Sequence, residues 1–187
     1  MAVWKMVCNS PFGHLARLQA SGSGRWTHYL NTAWRSGASA VLLVVGGDSL
    51  KDQCPLEAAK SLIKSAVPCG AGTGFSVGIV FAMQEMESWF IADAQALSLS
   101  LNTQPLRRAK SLGAILNNPE HSPRDAKGWL ANNMPDGYKP TVHQAEFARR
   151  LNINAVRLQT PRSFQRFEHA VQQLYTAVVS GSHVATP

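Results

Sequence analysis

Cysteines, acidic residues and long apolar runs are all scarce in this 187-residue sequence. The three cysteines, Cys8, Cys54 and Cys69, form no close pair, which argues against both a disulfide framework and a zinc site. The longest apolar run, at residues 40–45, is far shorter than the roughly 20 residues of a membrane span. The first residues also lack the basic and then apolar layout of a signal peptide. We therefore expect a cytoplasmic protein with no membrane partner.

Charged residues make up only 16% of the chain, whereas hydrophobic residues make up 45%, which suffices for a folded core and excludes wholesale disorder. Lys and Arg number 18 against 11 Asp and Glu, so the net charge is +7. The excess is uneven: residues 1–106 hold seven basic and six acidic residues, and residues 107–187 hold eleven basic and five acidic ones. Nucleic acid is therefore a favoured partner, although many soluble proteins are equally basic for solubility alone.

Apolar patterning predicts alternating helices and strands in the first hundred residues. Continuous apolar runs at residues 40–45 and 75–83 predict buried strands of the kind found in parallel sheets. Helical spacing at residues 26–35, 55–67 and 85–96 places helices around them. This order predicts an α/β fold, with a small, mostly parallel sheet flanked by helices.

The second half of the chain has a different pattern. From residue 101 onward, helical segments are joined by loops rich in Asn, Pro and Gly. We expect helices at residues 106–116, 124–133, 142–151 and 163–179, the last of which has the most regular apolar face.

The two patterns together predict one domain over residues 1–180. Within it, residues 1–24 are expected to be irregular, residues 25–100 to form the α/β core, and residues 101–180 to form a helical part. Residues 181–187 are expected to be a disordered tail.

Carboxylates follow both predicted strands. Asp48 comes after the first strand, and Glu85 and Glu87 come after the second. Ligands of open α/β sheets bind beyond the carboxyl ends of the strands, so these side chains are expected to converge at one sheet edge. Clustered carboxylates suit Mg²⁺, which prefers oxygen ligands. The alternative is that Glu85 and Glu87 only interact with the dipole at a helix N-terminus.

The segment after the second strand resembles a known family. Residues 85–92, Glu-Met-Glu-Ser-Trp-Phe-Ile-Ala, resemble the Glu-x-Glu-x-Trp-Phe-x-Ala signature of a bacterial Toprim-like family known as domain of unknown function 4276. The resemblance extends over residues 38–178. Four later segments are similar to further motifs of that family, in the same order: residues 126–130, 137–141, 147–151 and 161–167.

The resemblance implies a Toprim fold and a Mg²⁺-dependent nuclease that acts in bacterial antiphage defence beside an ATPase partner from the same operon. Asp48 and Glu85 would then be catalytic, and Glu87 would join them in holding the metal. The basic second half would track the nucleic-acid backbone. Its expected contacts are Lys127, Lys139, Arg149, Arg150, Arg162 and Arg166.

The sequence departs from the family pattern at two places that concern catalysis. Gly46 stands where the first Asp of the family is expected, and no acidic residue precedes Asp48 to supply the N-terminal Glu. A translation start upstream of Met1 would supply that Glu; without it, we expect weak Mg²⁺ binding and poor catalysis. Three hypotheses follow: a nuclease, a catalytically degenerate module that binds nucleic acid or a partner protein, and a pure protein-interaction subunit.

Overall fold

The structure is a computed structural model in which the chain forms two compact units. The first unit is drawn from residues up to 44, residues 49–81 and residues 166–187, and the second from residues 45–48 and 82–165. The residues that the structure describes are 30–31, 33–35, 37–50, 53–67, 70–93, 119–134 and 136–187.

Three strands form a single sheet among the described residues. They are β1 (Ala40–Gly46), β2 (Ser76–Ala82) and β3 (Ala185–Thr186), in the spatial order β1–β2–β3. The central strand β2 is buried at every position, which explains its continuous apolar sequence. The predicted α/β fold with a small, mostly parallel sheet is confirmed.

Strand β3 corrects the expectation of a disordered tail at residues 181–187. It pairs with β2 in parallel, with Val77 opposite Ala185. The Val77 N–H donates to the Val184 carbonyl at 2.8 Å, and the Val184 N–H donates to Ser76 Oγ at 3.1 Å. The tail is ordered here because the edge of β2 offers hydrogen-bond partners, which are not visible in the pattern of the tail itself.

Helices account for most of the remaining described residues, and four of the predicted helices in this part of the chain recur within a few residues of their expected bounds. Among the described residues, no helix combines the length and the apolarity that a membrane span requires. The predicted helix at residues 106–116 lies outside the described residues. The α-helices are α1 (Pro55–Ala66), α2 (Glu87–Ile91), α3 (Ala126–Asn133), α4 (Pro140–Arg150), α5 (Ile153–Gln159) and α6 (Pro161–Ser180).

The helix predicted at residues 85–96 is shorter in the structure: α2 spans Glu87–Ile91, residues 92 and 93 form a turn, and residues 94–96 lie outside the described residues. Two other helical regions also need comment. The helix predicted at residues 26–35 is described only in part, with residues 30, 31 and 33–35 helical. Helix α5 was not predicted, although Asn152 is a cap signal for it. Asn152 Oδ1 accepts hydrogen bonds from the backbone N–H groups of Asn154 at 3.1 Å and Ala155 at 3.4 Å. The helix is short, so its apolar periodicity was too brief to stand out.

The sheet of the first unit packs closely against α6. A Cβ atom added to Gly78 of β2 would lie 3.0 Å from Leu42 and 3.1 Å from Leu174, so a glycine is needed for these leucines to approach the strand. At another point of this unit, the Trp34 ring stacks on Phe75 with centroids 6.0 Å apart. These contacts stabilise the sheet of the first unit.

Candidate functional site

The chain changes direction at the end of β2, immediately before the signature carboxylates. Gln84 has a φ of 59°, a left-handed conformation that is uncommon for a residue with a side chain. Glu85 and Glu87 follow, and they are only 7% and 1% exposed. Helix α2, which begins at Glu87, is buried along its whole length. Buried carboxylates require compensating partners, so the neighbours of these two residues define the chemistry of the site.

Lys127, in the first turn of α3, compensates both carboxylates. Its backbone N–H donates to Glu85 Oε2 at 2.9 Å, and its ammonium donates to Glu85 Oε1 at 2.5 Å. The same ammonium lies 4.0 Å from Glu87 Oε2. The Lys127 side chain is 44% exposed, whereas those of Glu85 and Glu87 are 9% and 2% exposed. One lysine therefore pairs closely with Glu85 and lies within reach of Glu87, on the solvent side of both acids.

Glu87 has two further donors. The Tyr138 hydroxyl donates to Glu87 Oε1 at 3.1 Å, and Gln144 Nε2 donates to the same oxygen at 2.9 Å. Burial, reinforced by the negative charge of Glu87, raises the pKa of the Tyr138 phenol well above its ordinary value. Tyr138 therefore keeps its proton and acts as a permanent hydrogen-bond donor to this carboxylate.

Trp89 connects α2 to the start of α6. Its indole Nε1 donates to Ser163 Oγ at 2.9 Å, and Ser163 Oγ donates in turn to Glu120 Oε1 at 2.6 Å. Glu120, which is 2% exposed, also accepts from the Ser163 backbone N–H at 2.7 Å. The Trp89 ring meets Phe164 edge to face, with centroids 5.3 Å apart. This chain of buried polar groups holds the first turn of α6 against α2.

Helix α2 and its C-terminal end also contact α4 and the loop that follows it. Phe90 meets Phe147 edge to face, with ring centroids 5.5 Å apart, and both belong to the apolar core of the second unit. Asp93 is 6% exposed, and its Oδ2 accepts from the backbone N–H of Asn152 at 2.6 Å.

All the later motifs that carry the family resemblance thus contact helix α2 or the turn before it. Each of the four later motifs supplies a contact to residues 85–90. These contacts come from Lys127 in residues 126–130, Tyr138 in residues 137–141, Phe147 in residues 147–151, and Ser163 in residues 161–167. The acidic and aromatic residues of the signature therefore have a structural role, which the sequence pattern alone did not reveal.

The predicted metal ligands are only partly brought together. Asp48 lies in a 3₁₀-helix, Gly47–Leu50, directly after β1, and its side chain lies outside the described residues. A Cβ on Gly47 would be 2.6 Å from the Ala82 carbonyl oxygen, so the backbone of this turn lies against the end of β2. The expectation that the Asp48 and Glu85 side chains converge at one sheet edge stays a prediction.

The described donor set does not fit Mg²⁺ while Lys127 stays in place. Both oxygens of Glu85 accept hydrogen bonds from Lys127, and Glu87 accepts from two further donors. In the part of the chain that the structure describes, no group of three His, Cys, Asp or Glu side chains is arranged to hold a metal ion. The catalytic roles of Asp48 and Glu85 stay predictions.

The predicted nucleic-acid contacts on α3 and α4 differ in their surroundings. Lys127 is engaged by Glu85, whereas Lys139 is exposed just before α4. Arg149 and Arg150 are exposed at the end of α4, and each forms an ion pair with Glu146, at 3.3 and 2.5 Å. Exposed ion pairs of this kind contribute little to stability.

The two remaining predicted contacts lie on α6. Arg162 and Arg166 are both exposed, and they are one helical turn apart.

In the second unit, several acidic side chains are buried, whereas the described basic side chains are not. Its described residues 45–48, 82–93, 119–134 and 136–165 contain seven Lys and Arg and eight Asp and Glu. No lysine or arginine among them is buried, but four of the acids are. The buried acids are Glu85, Glu87, Asp93 and Glu120. The charged side chains available at its surface are therefore mostly basic.

Two of these buried acids, and two of their partners, were missed by sequence reasoning. Asp93 directly follows the apolar stretch Trp-Phe-Ile-Ala, a context in which an acid is unusual and could have been noticed. Glu120 sits between Pro119 and His121 and carried no such signal. Ser163 and Tyr138 were part of motif segments, but their roles depend on partners distant in sequence.

The comparison with protein families gives one match. The sequence model of the family described as Domain of unknown function (DUF4276) matches residues 46–172. That range is more than half of the chain and runs from the end of β1 into α6. No curated protein and no solved structure matches the chain.

Proposed function

Starting from the DUF4276 family, to which this chain belongs, we propose that the protein is a nucleic-acid-binding module whose signature carboxylates stabilise the fold. The observation that supports this proposal is the burial of four acids in the second unit beside lysines and arginines that stay at its surface. A phosphate that approaches this unit meets mainly cationic side chains.

The structural role of the carboxylates supports the same proposal. Glu85 and Glu87 each accept at least two hydrogen bonds from other parts of the unit, so both already have the partners that a buried charge requires. The sequence departure at Gly46 agrees with this, because the position expected to supply an acid has no side chain.

Salt dependence of binding tests the proposal. Fluorescently labelled single- and double-stranded DNA and RNA of random sequence are titrated with the protein in a salt series, and the slope of log K against log [salt] counts the phosphates contacted. The double variant Arg162→Gln and Arg166→Gln should lower that slope by about 2 if each arginine neutralises one phosphate.

A matched control removes the same charge elsewhere. Lys60 and Lys64 are exposed on α1 in the first unit, and the double variant Lys60→Gln and Lys64→Gln should leave the slope unchanged. Equal salt slopes for the arginine variant and the wild type would show that the nucleic acid contacts a surface other than α6. Absence of binding to every probe at low salt would overturn the proposal and would favour the protein-interaction subunit, whose expected partner is an ATPase.

A Mg²⁺-dependent nuclease of an antiphage defence system is the second candidate. The observation that supports it is the close approach of Gly47, which precedes Asp48, to the Ala82 carbonyl at the end of β2. Purified protein with Mg²⁺ or Mn²⁺ should then nick DNA or RNA, and both Asp48→Ala and Glu85→Ala should abolish nicking. Residual nicking equal to wild type in Asp48→Ala would identify a contaminant.

A further inference from the structure

We infer that the Lys127 ammonium is a built-in cation that occupies the position between Glu85 and Glu87 where a divalent metal ion would otherwise bind. The inference concerns cation binding and does not depend on the proposed binding of nucleic acid. Its basis is the position of Lys127 Nζ, 2.5 Å from Glu85 Oε1 and 4.0 Å from Glu87 Oε2.

The geometry of the backbone holds this lysine in place. The N–H of Lys127 donates to Glu85 Oε2 at 2.9 Å, so the main chain of α3 is attached to the same carboxylate as the side chain. The side chain therefore has only a short distance to span, and its ammonium is pre-positioned with respect to both acids.

Without the ammonium, the carboxylates of Glu85 and Glu87 would suit a hard divalent cation. Glu85 would keep one backbone donor, and Glu87 would keep the Tyr138 hydroxyl and the Gln144 amide. Two neighbouring carboxylates with a free oxygen on the solvent side offer the oxygen ligands that Mg²⁺ and Mn²⁺ prefer, with water completing the coordination.

Access to the pair is through the position of Lys127. The Lys127 side chain is 44% exposed, whereas the two glutamates are almost completely enclosed. Shortening or neutralising this one side chain would therefore open the carboxylates to ions from solvent without disturbing the buried partners of Glu87.

Substitution of Lys127 tests the inference in the absence of nucleic acid. Mn²⁺ is titrated into the protein and the free ion is followed by electron paramagnetic resonance. Lys127→Met should bind Mn²⁺ at least about tenfold more tightly than wild type, because a competing positive charge is removed at close range. Lys127→Arg, which keeps the charge, should bind as weakly as wild type.

Two further measurements locate the effect. The double variant Lys127→Met and Glu85→Gln should lose the gain in Mn²⁺ affinity. At matched ionic strength, Mg²⁺ should raise the Tm of Lys127→Met but leave that of wild type unchanged.

Two results would overturn the inference: a Lys127→Met variant that binds Mn²⁺ no more tightly than wild type, or a gain in affinity that survives Glu85→Gln. If Lys127→Met is purified unfolded, the same titration is followed by circular dichroism. Recovery of the folded signal with millimolar Mg²⁺ or Mn²⁺ then supports the built-in cation, and no recovery overturns it.

Discussion

The indole Nε1 of Trp89 donates a hydrogen bond to Ser163 Oγ at 2.9 Å, and so joins two residues that are 74 positions apart in sequence. Ser163 Oγ in turn donates a hydrogen bond to the buried carboxylate of Glu120. Each group in this chain is a hydrogen-bond partner of the next, so removal of the Ser163 hydroxyl affects both Trp89 and Glu120.

Ser163→Ala should destabilise the protein by about 1–3 kcal/mol, because it deprives the Trp89 N–H of an acceptor and Glu120 of one donor in a buried site. Urea denaturation followed by tryptophan fluorescence measures the change. Ser180→Ala, the same substitution at the exposed end of α6, serves as control and should stay within about 0.5 kcal/mol of wild type. Equal losses in the two variants would contradict a specific role for Ser163.

Stability should fall as the pH rises above the ordinary tyrosine value of 10.0, because Tyr138 has a raised pKa in the folded state. Between the unfolded and the folded pKa, the folded protein keeps a proton that the unfolded chain releases, so alkali favours unfolding. In Tyr138→Phe the free energy of unfolding should decline less steeply with pH, by up to about 1.4 kcal/mol per pH unit. Urea midpoints at a series of alkaline pH values measure the slope.

Tyr175→Phe is the control for this pH dependence, since Tyr175 lies on α6 in the first unit. Its pH dependence should match that of wild type. A Tyr138→Phe variant with the same alkaline slope as Tyr175→Phe would show that another group is responsible.

Gly47→Ala should destabilise the protein by about 1–3 kcal/mol, since the new Cβ would lie 2.6 Å from the Ala82 carbonyl oxygen and would push the Asp48 turn away from β2. Thermal and urea denaturation measure the loss. Gly74→Ala is a matched control, because its Cβ would meet its nearest atoms at an ordinary 3.5 Å. Similar stability of the two variants would argue against close packing of this turn.

Removal of residues 182–187 should cost roughly 2 kcal/mol, because β2 loses the acceptor for the Val77 N–H and Ser76 Oγ loses its donor, Val184. Deletion of Pro187 alone, which lies beyond β3, should have little effect. Hydrogen exchange at the Val77 amide gives a local readout, and unchanged protection after the longer deletion would show that β3 does not protect β2.

Much of the fold followed from local patterns in the sequence. The continuous apolar run at residues 40–45 predicted a strand, and β1 occupies Ala40–Gly46. The periodic segment at residues 163–179 predicted the longest helix, and α6 spans Pro161–Ser180. These predictions succeeded because periodicity reports directly which side of a strand or helix is buried.

Weaker local signals were the ones that failed. Strand β3 contains only two residues, and its order derives from pairing with β2 at the sheet edge. The sequence showed that carboxylates follow two strands, but it did not show the partners of those carboxylates. An apolar pattern shows that Glu87 follows a buried strand, and it cannot show that Tyr138 donates to it from 51 positions away.

The residue order of this chain was therefore sufficient for the class of fold, the uneven charge and the placement of acids after two strands, because each depends on neighbours in sequence. The structural role of those acids depends on which distant residues the tertiary structure brings into contact with them. Lys127 reaches Glu85 across 42 positions, and Ser163 reaches Trp89 across 74. Burial raises the energetic cost of an unpaired charge, so it was the packing around α2 that made Glu85 and Glu87 the anchors of the second unit.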